Sequence, residues 1–350
     1  MVLDPDTFEL APRAGEILER VGDDGRFKLE LPASQLEIVT PPCASVPEAA
    51  RALSEGRRDL AARAPSVARF AAAGFHPSSP GLGELNTSPR YERTMREYGE
   101  IAHRQLVCAL QVHIAVPGSH RALAVYNAAR DYLPWLAALG ANAPFYEGRD
   151  SGLASVRAKI GELLPRQGIP PTLESWDDYA AALAWGTRSG MFPDPGTWWY
   201  ELRPHPRFGT LELRVPDGQA TVSDAAAIAA VAQALFAWLG ERHDRGELVA
   251  PVPTWRIEQN RWSACRNGVQ GEMADLRTGV ARPTRTWLSQ LLDALDPVAQ
   301  RLGAGEKAMQ RARELVEENG ALAQRRVAER DGVPSVARWL ASQFLEPWGG

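Results

Sequence analysis

The stretch 198–217 constrains the fold more than any other part of the sequence. Segments 198–203 and 210–215 alternate apolar with charged side chains, and residues 204–209 between them contain two prolines and a glycine. Proline and glycine favour a tight, rigid connection between neighbouring strands. The stretch therefore predicts an antiparallel hairpin.

The charged residues of this hairpin fall on matching faces. Because successive side chains of a strand point to opposite sides, Glu201 lies with Arg203, and Glu212 lies with Arg214. One interpretation is a concave surface where carboxylates bind a divalent metal and arginines bind phosphate. The alternative is an exposed sheet face with cross-strand ion pairs, each contributing at most about 1 kcal/mol.

The remaining pattern favours an α+β fold with an antiparallel sheet. Strands are predicted within 28–40 and 105–116, and residues 141–172 read mostly as loop. Isolated strands and one hairpin between helices of unequal length argue against a regular βαβ winding. We interpret 1–350 as one catalytic domain. Helices are predicted at 47–73, with a break at Pro65, and at 119–138, 176–186, 223–241, 285–302, 306–320 and 334–346.

Composition narrows the class of protein. The 350 residues are 45% hydrophobic and carry a net charge of −4, which gives no basic excess for nucleic-acid binding. Three cysteines without a Cys-x-x-Cys pair fit a reducing, cytoplasmic setting. No run approaches 18 uninterrupted apolar residues, so no membrane span is predicted. A homodimer through an open sheet edge is compatible with the pattern.

Each of the other candidate residues can be interpreted either as a functional residue or as a purely structural one. Glu30 and Glu37 are seven apart, so a turn near Pro32 is needed to bring them to one face; otherwise they are two solvated acids. His113, in an apolar strand, is a candidate ligand or a hydrogen-bonded core residue. His76 follows a helix end and fits a turn histidine. A third hypothesis is a metal-dependent hydrolase using His76, His113 and nearby acids, but no strong metal-ligand spacing supports it.

The segment 256–268 is a further candidate. If it is helical, Glu258, Arg261, Trp262 and either Cys265 or Arg266 cluster by helical spacing. Arg261 and Arg266 would lie about 140° apart, which puts them in different contacts. The alternative is a charged helix with an internal ion pair.

Six segments in order resemble bacterial carboxylate–amine ligases related to glutamate–cysteine ligase. The resemblance spans nearly the whole chain, and the block at 203–215 is the most specific. The segments are Leu36-Glu-Ile-Val-Thr-Pro-Pro-Cys43, Gly74-Phe-His-Pro77, Arg90-Tyr-Glu-Arg-Thr94, Val112-His-Ile114, Arg203-Pro-His-Pro-Arg-Phe-Gly-Thr-Leu-Glu-Leu-Arg-Val215 and Glu258-Gln-Asn-Arg-Trp-Ser-Ala-Cys-Arg-Asn-Gly268.

The resemblance implies a glutamine-synthetase-like architecture, with a curved antiparallel sheet and helices packed outside. It implies ATP and Mg²⁺ as cofactors, glutamate and cysteine or analogues as substrates, and amide formation through an acyl phosphate. The roles it implies are metal binding by Glu30, Glu37, His113 and Glu212, catalysis by Arg203 and Arg214, and cofactor binding by Glu201, Arg261 and Arg266.

Two departures from the family pattern stand out. A Gly-x-Glu-x-Glu strand usually precedes a segment like 2–7, and we expect it upstream of the recorded start. Ala33 replaces a usual acid, and Gln111 replaces a usual histidine. The alternative function is a non-catalytic homologue that binds a nucleotide or amino acid after losing part of its metal site.

Overall fold

A computed structural model describes residues 1–192 and 194–348, which are mainly helical with short antiparallel strands. The α-helices are α1 Ala14–Val21, α2 Val46–Arg63, α3 Pro89–Tyr98, α4 Ser119–Ala129, α5 Leu133–Leu139, α6 Arg157–Gly161, α7 Trp176–Ser189, α8 Val222–Asp244, α9 Thr254–Asn267, α10 Thr284–Arg301, α11 Glu306–Glu317, α12 Gly320–Asp331 and α13 Val333–Gln343. The strands are β1 Val2–Leu3, β2 Phe27–Leu29, β3 Leu36–Ile38, β4 Arg69–Phe70, β5 Val112–Ile114, β6 Phe145–Tyr146, β7 Arg149–Asp150, β8 Leu202–His205, β9 Thr210–Leu213, β10 Glu272–Ala274 and β11 Ala281–Pro283.

The strands form small antiparallel sheets, so the predicted α+β class is confirmed. The largest sheet in the described part of the chain has the order β5-β9-β8, and β2 pairs with β3 in a separate hairpin. The predicted hairpin in 198–217 is β8–β9, although both strands are shorter than expected. Within 105–116, only Val112–Ile114 is a strand.

Helix α8 forms the centre of the main hydrophobic core. It packs against α2, α4, α10 and α11, and its Ala- and Leu-rich sequence is buried on most sides. Leu202, Leu211 and Leu213 contribute the back of the three-stranded sheet to the same core. The sheet therefore has one apolar face anchored in the core, which leaves its other face for the charged residues.

Of the described helices, α8 alone is long and apolar enough to cross a membrane. However, 72% of its apolar window is buried inside the protein. Burial on this scale is typical of a core helix.

Several helix boundaries differ from the predictions for local physical reasons. Helix α2 ends at Arg63 rather than near 73, because Pro65 disfavours helix before and after it. Residues 119–138 divide into α4, a 3₁₀ turn and α5. At the start of α3, Ser88 followed by Pro89 is a sequence pattern typical of a capped helix, and the structure has this cap: the Ser88 hydroxyl accepts from the Tyr91 amide, with Pro89 at the first position.

Candidate functional site

The charged face of the three-stranded sheet carries a row of three side chains. His113 on β5 lies opposite Glu212 on β9, and Glu212 lies opposite Arg203 on β8. Leu202 and Leu213 on the reverse face are fully buried, which fixes the register because a one-residue slip would expose them. The core thus sets the order of the charges.

Glu212 is held between two arginines. Its Oε2 accepts from Arg203 Nε at 2.5 Å, and its Oε1 accepts from Arg214 Nη1. The Glu212 side chain is fully buried. Burial alone would raise the pKa of this carboxyl, but Arg214 and Arg203 outweigh it, so the pKa lies below its ordinary value. Glu212 is therefore an ionised, immobilised anion in a buried charge cluster, which excludes the exposed-face interpretation.

Arg203 and Arg214 differ in the hydrogen bonds that their guanidinium groups already make. Arg203 Nη1 also donates to the carbonyl oxygens of Gly196 at 2.9 Å and Trp198 at 3.2 Å, so this arginine is occupied by structural contacts. Arg214 contacts Glu212 and also lines a small cavity. Of the two predicted catalytic arginines, Arg214 lines this cavity and Arg203 does not; catalysis by either stays a prediction.

A second buried ion pair joins Glu201, the residue before β8, to Arg261 on α9. Arg261 donates from Nε and Nη2 to Glu201, with distances of 2.8, 2.9 and 2.6 Å. Arg266 lies exposed elsewhere on α9, as the predicted angular separation requires. Of the predicted cofactor-binding set Glu201, Arg261 and Arg266, two members are paired with each other and the third lies apart. Cofactor binding by these residues stays a prediction.

The β2–β3 hairpin brings two acids together, and one of them lies near Arg214. Glu37 lies opposite Lys28, and Glu30, two residues along from Lys28, shares that face. Burial and the neighbouring Glu37 raise the pKa of Glu30 to about 6, although Arg214 and Arg90 partly offset them. Glu30 is therefore the acid of this hairpin that interacts with Arg214.

The donor chemistry fits a divalent cation only in part. Two half-buried carboxylates that repel each other offer hard oxygen ligands, and a cation would relieve the repulsion at Glu30 and Glu37. Both oxygens of Glu212 already accept from arginines, so a cation at Glu212 would lie beside two guanidinium groups. His113 Nδ1 is hydrogen-bonded to Thr210 Oγ1 at 2.9 Å.

The four predicted metal ligands, Glu30, Glu37, His113 and Glu212, are not brought together as one group. Within residues 1–192 and 194–348, no three His, Cys, Asp or Glu side chains are grouped as metal ligands. Metal binding by Glu30 and Glu37 stays a prediction.

A small cavity lies beside Arg214. It has a volume of about 40 Å³, and its lining includes Arg157, Gln167, Trp199, Glu201 and Arg214. Such a volume holds roughly three water-sized groups, which is enough for one oxyanion and too little for a nucleotide. Arg157 was missed by the sequence reasoning, because a single arginine in a loop-rich segment carries no distinguishing pattern.

His76 has a structural role, in agreement with its interpretation as a turn histidine. It is fully buried, its Nε2 lies 2.9 Å from the carbonyl oxygen of Phe8, and its Nδ1 accepts from the Ser79 amide at 3.0 Å. Burial lowers the pKa of its imidazole. With both ring nitrogens in structural contacts, the hydrolase hypothesis gains no support.

Solved structures identify the class of fold. A glutamate–cysteine ligase from Francisella tularensis, solved in complex with AMP, superposes with a TM-score of 0.72, covering 99% of this chain and 88% of that one at 12% identity. A bifunctional glutathione synthetase from Pasteurella multocida gives a TM-score of 0.63 over 92% of this chain and 48% of that one, at 15% identity. The chain therefore has the glutamate–cysteine ligase fold, and the predicted fold class is confirmed.

Sequence relatives identify the family. The model of the family described as Glutamate-cysteine ligase family 2 (GCS2) matches residues 3–340 of this chain. A relative from Rubrobacter xylanophilus, named putative glutamate–cysteine ligase 2-3, is 39% identical over 97% of this chain and 93% of its own length. A relative from Frankia casuarinae, named putative glutamate–cysteine ligase 2-1, is 34% identical over 87% of this chain and 82% of its own length. The chain belongs to glutamate–cysteine ligase family 2.

Proposed function

We propose that this protein is an ATP-dependent carboxylate–amine ligase that joins the γ-carboxylate of glutamate to an amine such as that of cysteine. Membership of the family and the names of the relatives support the reaction class. The AMP bound to the Francisella enzyme supports the use of an adenine nucleotide. The observation that carries the proposal is the buried Arg203–Glu212–Arg214 cluster with Glu30 close to Arg214.

The proposed reaction has two balanced steps. A γ-carboxylate oxygen of glutamate attacks the γ-phosphorus of ATP, the bond to the bridging oxygen breaks, and ADP leaves. The amine nitrogen of the second substrate then attacks the acyl carbon, the acyl–oxygen bond breaks, phosphate leaves, and the nitrogen loses a proton to solvent. The product is an amide.

Arg214 is the residue that would stabilise the phosphoryl group in this scheme. Its charge is oriented by Glu212, which is itself fixed by Arg203. A cation held in place before the reaction starts stabilises developing negative charge without reorganisation. Arg203 is a positioning residue in this scheme.

Glu30 and Glu37 would hold Mg²⁺ through their carboxylate oxygens. When bound with ATP, the ion would neutralise part of the triphosphate charge. Two contacts fix the backbone at the β2 end of this hairpin: Asn86 Nδ2 donates to the carbonyl oxygen of Glu30 at 2.7 Å, and the Tyr91 hydroxyl donates to that of Leu29 at 2.7 Å. The cytoplasmic location and the homodimer stay predictions.

Phosphate release tests the proposal. The protein is incubated with Mg-ATP, glutamate and a panel of amines, using the 350-residue chain and a form extended upstream in the same reading frame. We expect amine-dependent phosphate release that falls about 100-fold or more in Arg214→Gln, the range for losing one charge-stabilising donor. Arg149→Gln, at an exposed side chain on β7, is the control. Phosphate release that does not depend on any amine in either form would contradict the proposal.

A further inference from the structure

Arg157, at the start of α6, is fixed in place by three acceptors. Its Nε donates to Asp217 Oδ1 at 2.7 Å, and its Nη2 donates to the carbonyl oxygens of Val215 at 2.6 Å and Arg214 at 3.2 Å. Only 13% of the side chain is exposed. The guanidinium plane is thereby set relative to the end of β9.

Asp217 is itself fixed by separate contacts. The backbone amide of Asn142 donates to its Oδ2 at 2.6 Å, and the Ser155 hydroxyl donates to its Oδ1 at 2.9 Å. Gly74 allows the close approach, because a Cβ there would lie 2.6 Å from the carboxyl carbon of Asp217. The Asp217–Arg157 pair is therefore rigid before any ligand arrives, which lowers the cost of binding one.

The third guanidinium nitrogen of Arg157 is available. Nη1 donates to no group in the described residues, and Arg157 lines the same small cavity as Arg214 and Glu201. An arginine held by two nitrogens and open at the third presents a directed donor to an oxyanion.

We infer that Arg157 is an oxyanion-binding residue of this site, acting beside Arg214, and that Asp217 is its positioning residue. The ligand group is a single phosphate or carboxylate oxygen, which the 40 Å³ cavity accommodates. The inference rests on the proposed function, because it assigns Arg157 to the same substrates.

Calorimetric binding to Arg157→Gln tests the inference and separates the two sources of the oxyanion. The probes are a non-hydrolysable ATP analogue with Mg²⁺ and, separately, glutamate. We expect one probe to bind at least tenfold more weakly while the other changes less than twofold: loss of the analogue assigns a phosphate oxygen, and loss of glutamate assigns a carboxylate. Arg256→Gln, at a half-buried arginine bonded to the Leu276 carbonyl, is the matched control.

Two results would overturn the inference and show that Arg157 is purely structural. One is unchanged binding of both probes, and the other is equal weakening of both together with a lower melting temperature. Asp217→Asn keeps an acceptor for Arg157 and removes its charge. We expect it to raise the KM of the same substrate with kcat within twofold, and equal changes in both constants would count against a positioning role.

A crystal structure of the wild-type protein with both probes keeps the inference testable if Arg157→Gln does not fold. An oxyanion within 3.5 Å of Arg157 Nη1 supports it, and none within that distance overturns it. Wild-type phosphate release is measured in parallel, because a wild-type protein without turnover rejects the proposed function while the binding data still decide on Arg157.

Discussion

Glu212 lies directly across the β8–β9 ladder from Arg203 and accepts its Nε–H at 2.5 Å, while Arg214 occupies the other carboxylate oxygen. One buried anion therefore separates two cations that would otherwise repel each other. This relationship sets the first prediction.

Glu212→Gln should destabilise the protein strongly, because it leaves two buried arginines without their counter-charge. We expect a loss of about 3–5 kcal/mol in the free energy of unfolding, measured by urea denaturation. Glu247→Gln, which removes an exposed partner of Arg245, should leave the urea midpoint unchanged. Equal midpoints for Glu212→Gln and the wild type would show that the pair is not stabilising.

The Glu201–Arg261 pair should behave as a coupled unit. Either single change to Gln leaves one buried charge unpaired and should cost roughly 3 kcal/mol, whereas the double variant leaves none. A double-mutant cycle should therefore give a coupling energy of about 2 kcal/mol or more. The exposed pair Glu16–Arg20 on α1 is the control, with an expected coupling near 0.5 kcal/mol. Strictly additive effects at Glu201 and Arg261 would contradict the assignment.

Gly74→Ala should disturb the site through packing. Its Cβ would meet the Asp217 side chain at 2.6 and 2.9 Å and Ala143 at 2.9 Å, so we expect a loss of about 1–3 kcal/mol. Gly15 on α1 has nothing within 4 Å of a built Cβ, and Gly15→Ala should stabilise by about 0.5–1 kcal/mol. Thermal melting compares the two variants. A Gly74→Ala protein as stable as the wild type would contradict the prediction, because it would mean that the neighbouring atoms shift to accept the added Cβ without loss of stability.

Asp131 predicts a pH dependence of stability. Burial raises the pKa of its carboxyl to about 6, although Arg277 and Arg130 partly offset it. The folded state then holds the proton more tightly than the unfolded state, so this stability is present at low pH and is lost as pH rises through 6.

Between pH 5 and 7.5, the wild type should lose about 1 kcal/mol relative to Asp131→Asn, after allowance for partial exposure. Urea titrations across this range measure the difference. Asp6→Asn, at an exposed position, is the control. A wild-type advantage that grows with pH would reverse the sign and contradict the assignment.

The parts of the fold that could be predicted are those encoded locally. The β8–β9 hairpin follows from alternation and its proline-rich turn, and the Ser88 cap follows from its own three neighbours. Helix α12 was missed: the helix predicted at 306–320 was ended at the point where Asn319 caps a second helix by accepting from the Leu322 amide.

The site was predictable only where sequence neighbours share a face. Glu212 and Arg214 are two apart, and alternation alone places them together. Arg157 meets Asp217 across 60 residues, and Glu201 meets Arg261 across another 60, so only the folded chain shows these partners. For the same reason, the sequence assigned Arg261 and Glu201 to a ligand although they bind each other.

Isotope transfer tests the proposed reaction most directly. Glutamate carrying ¹⁸O in its γ-carboxylate is incubated with the protein, Mg-ATP and the amine that supports phosphate release, and the products are analysed by mass spectrometry. A carboxylate–amine ligase acting through an acyl phosphate should produce the γ-glutamyl amide and an equal amount of inorganic phosphate carrying one ¹⁸O. Amide formation with unlabelled phosphate would contradict the acyl phosphate, and labelled glutamate recovered unchanged with every amine would contradict the ligase assignment itself.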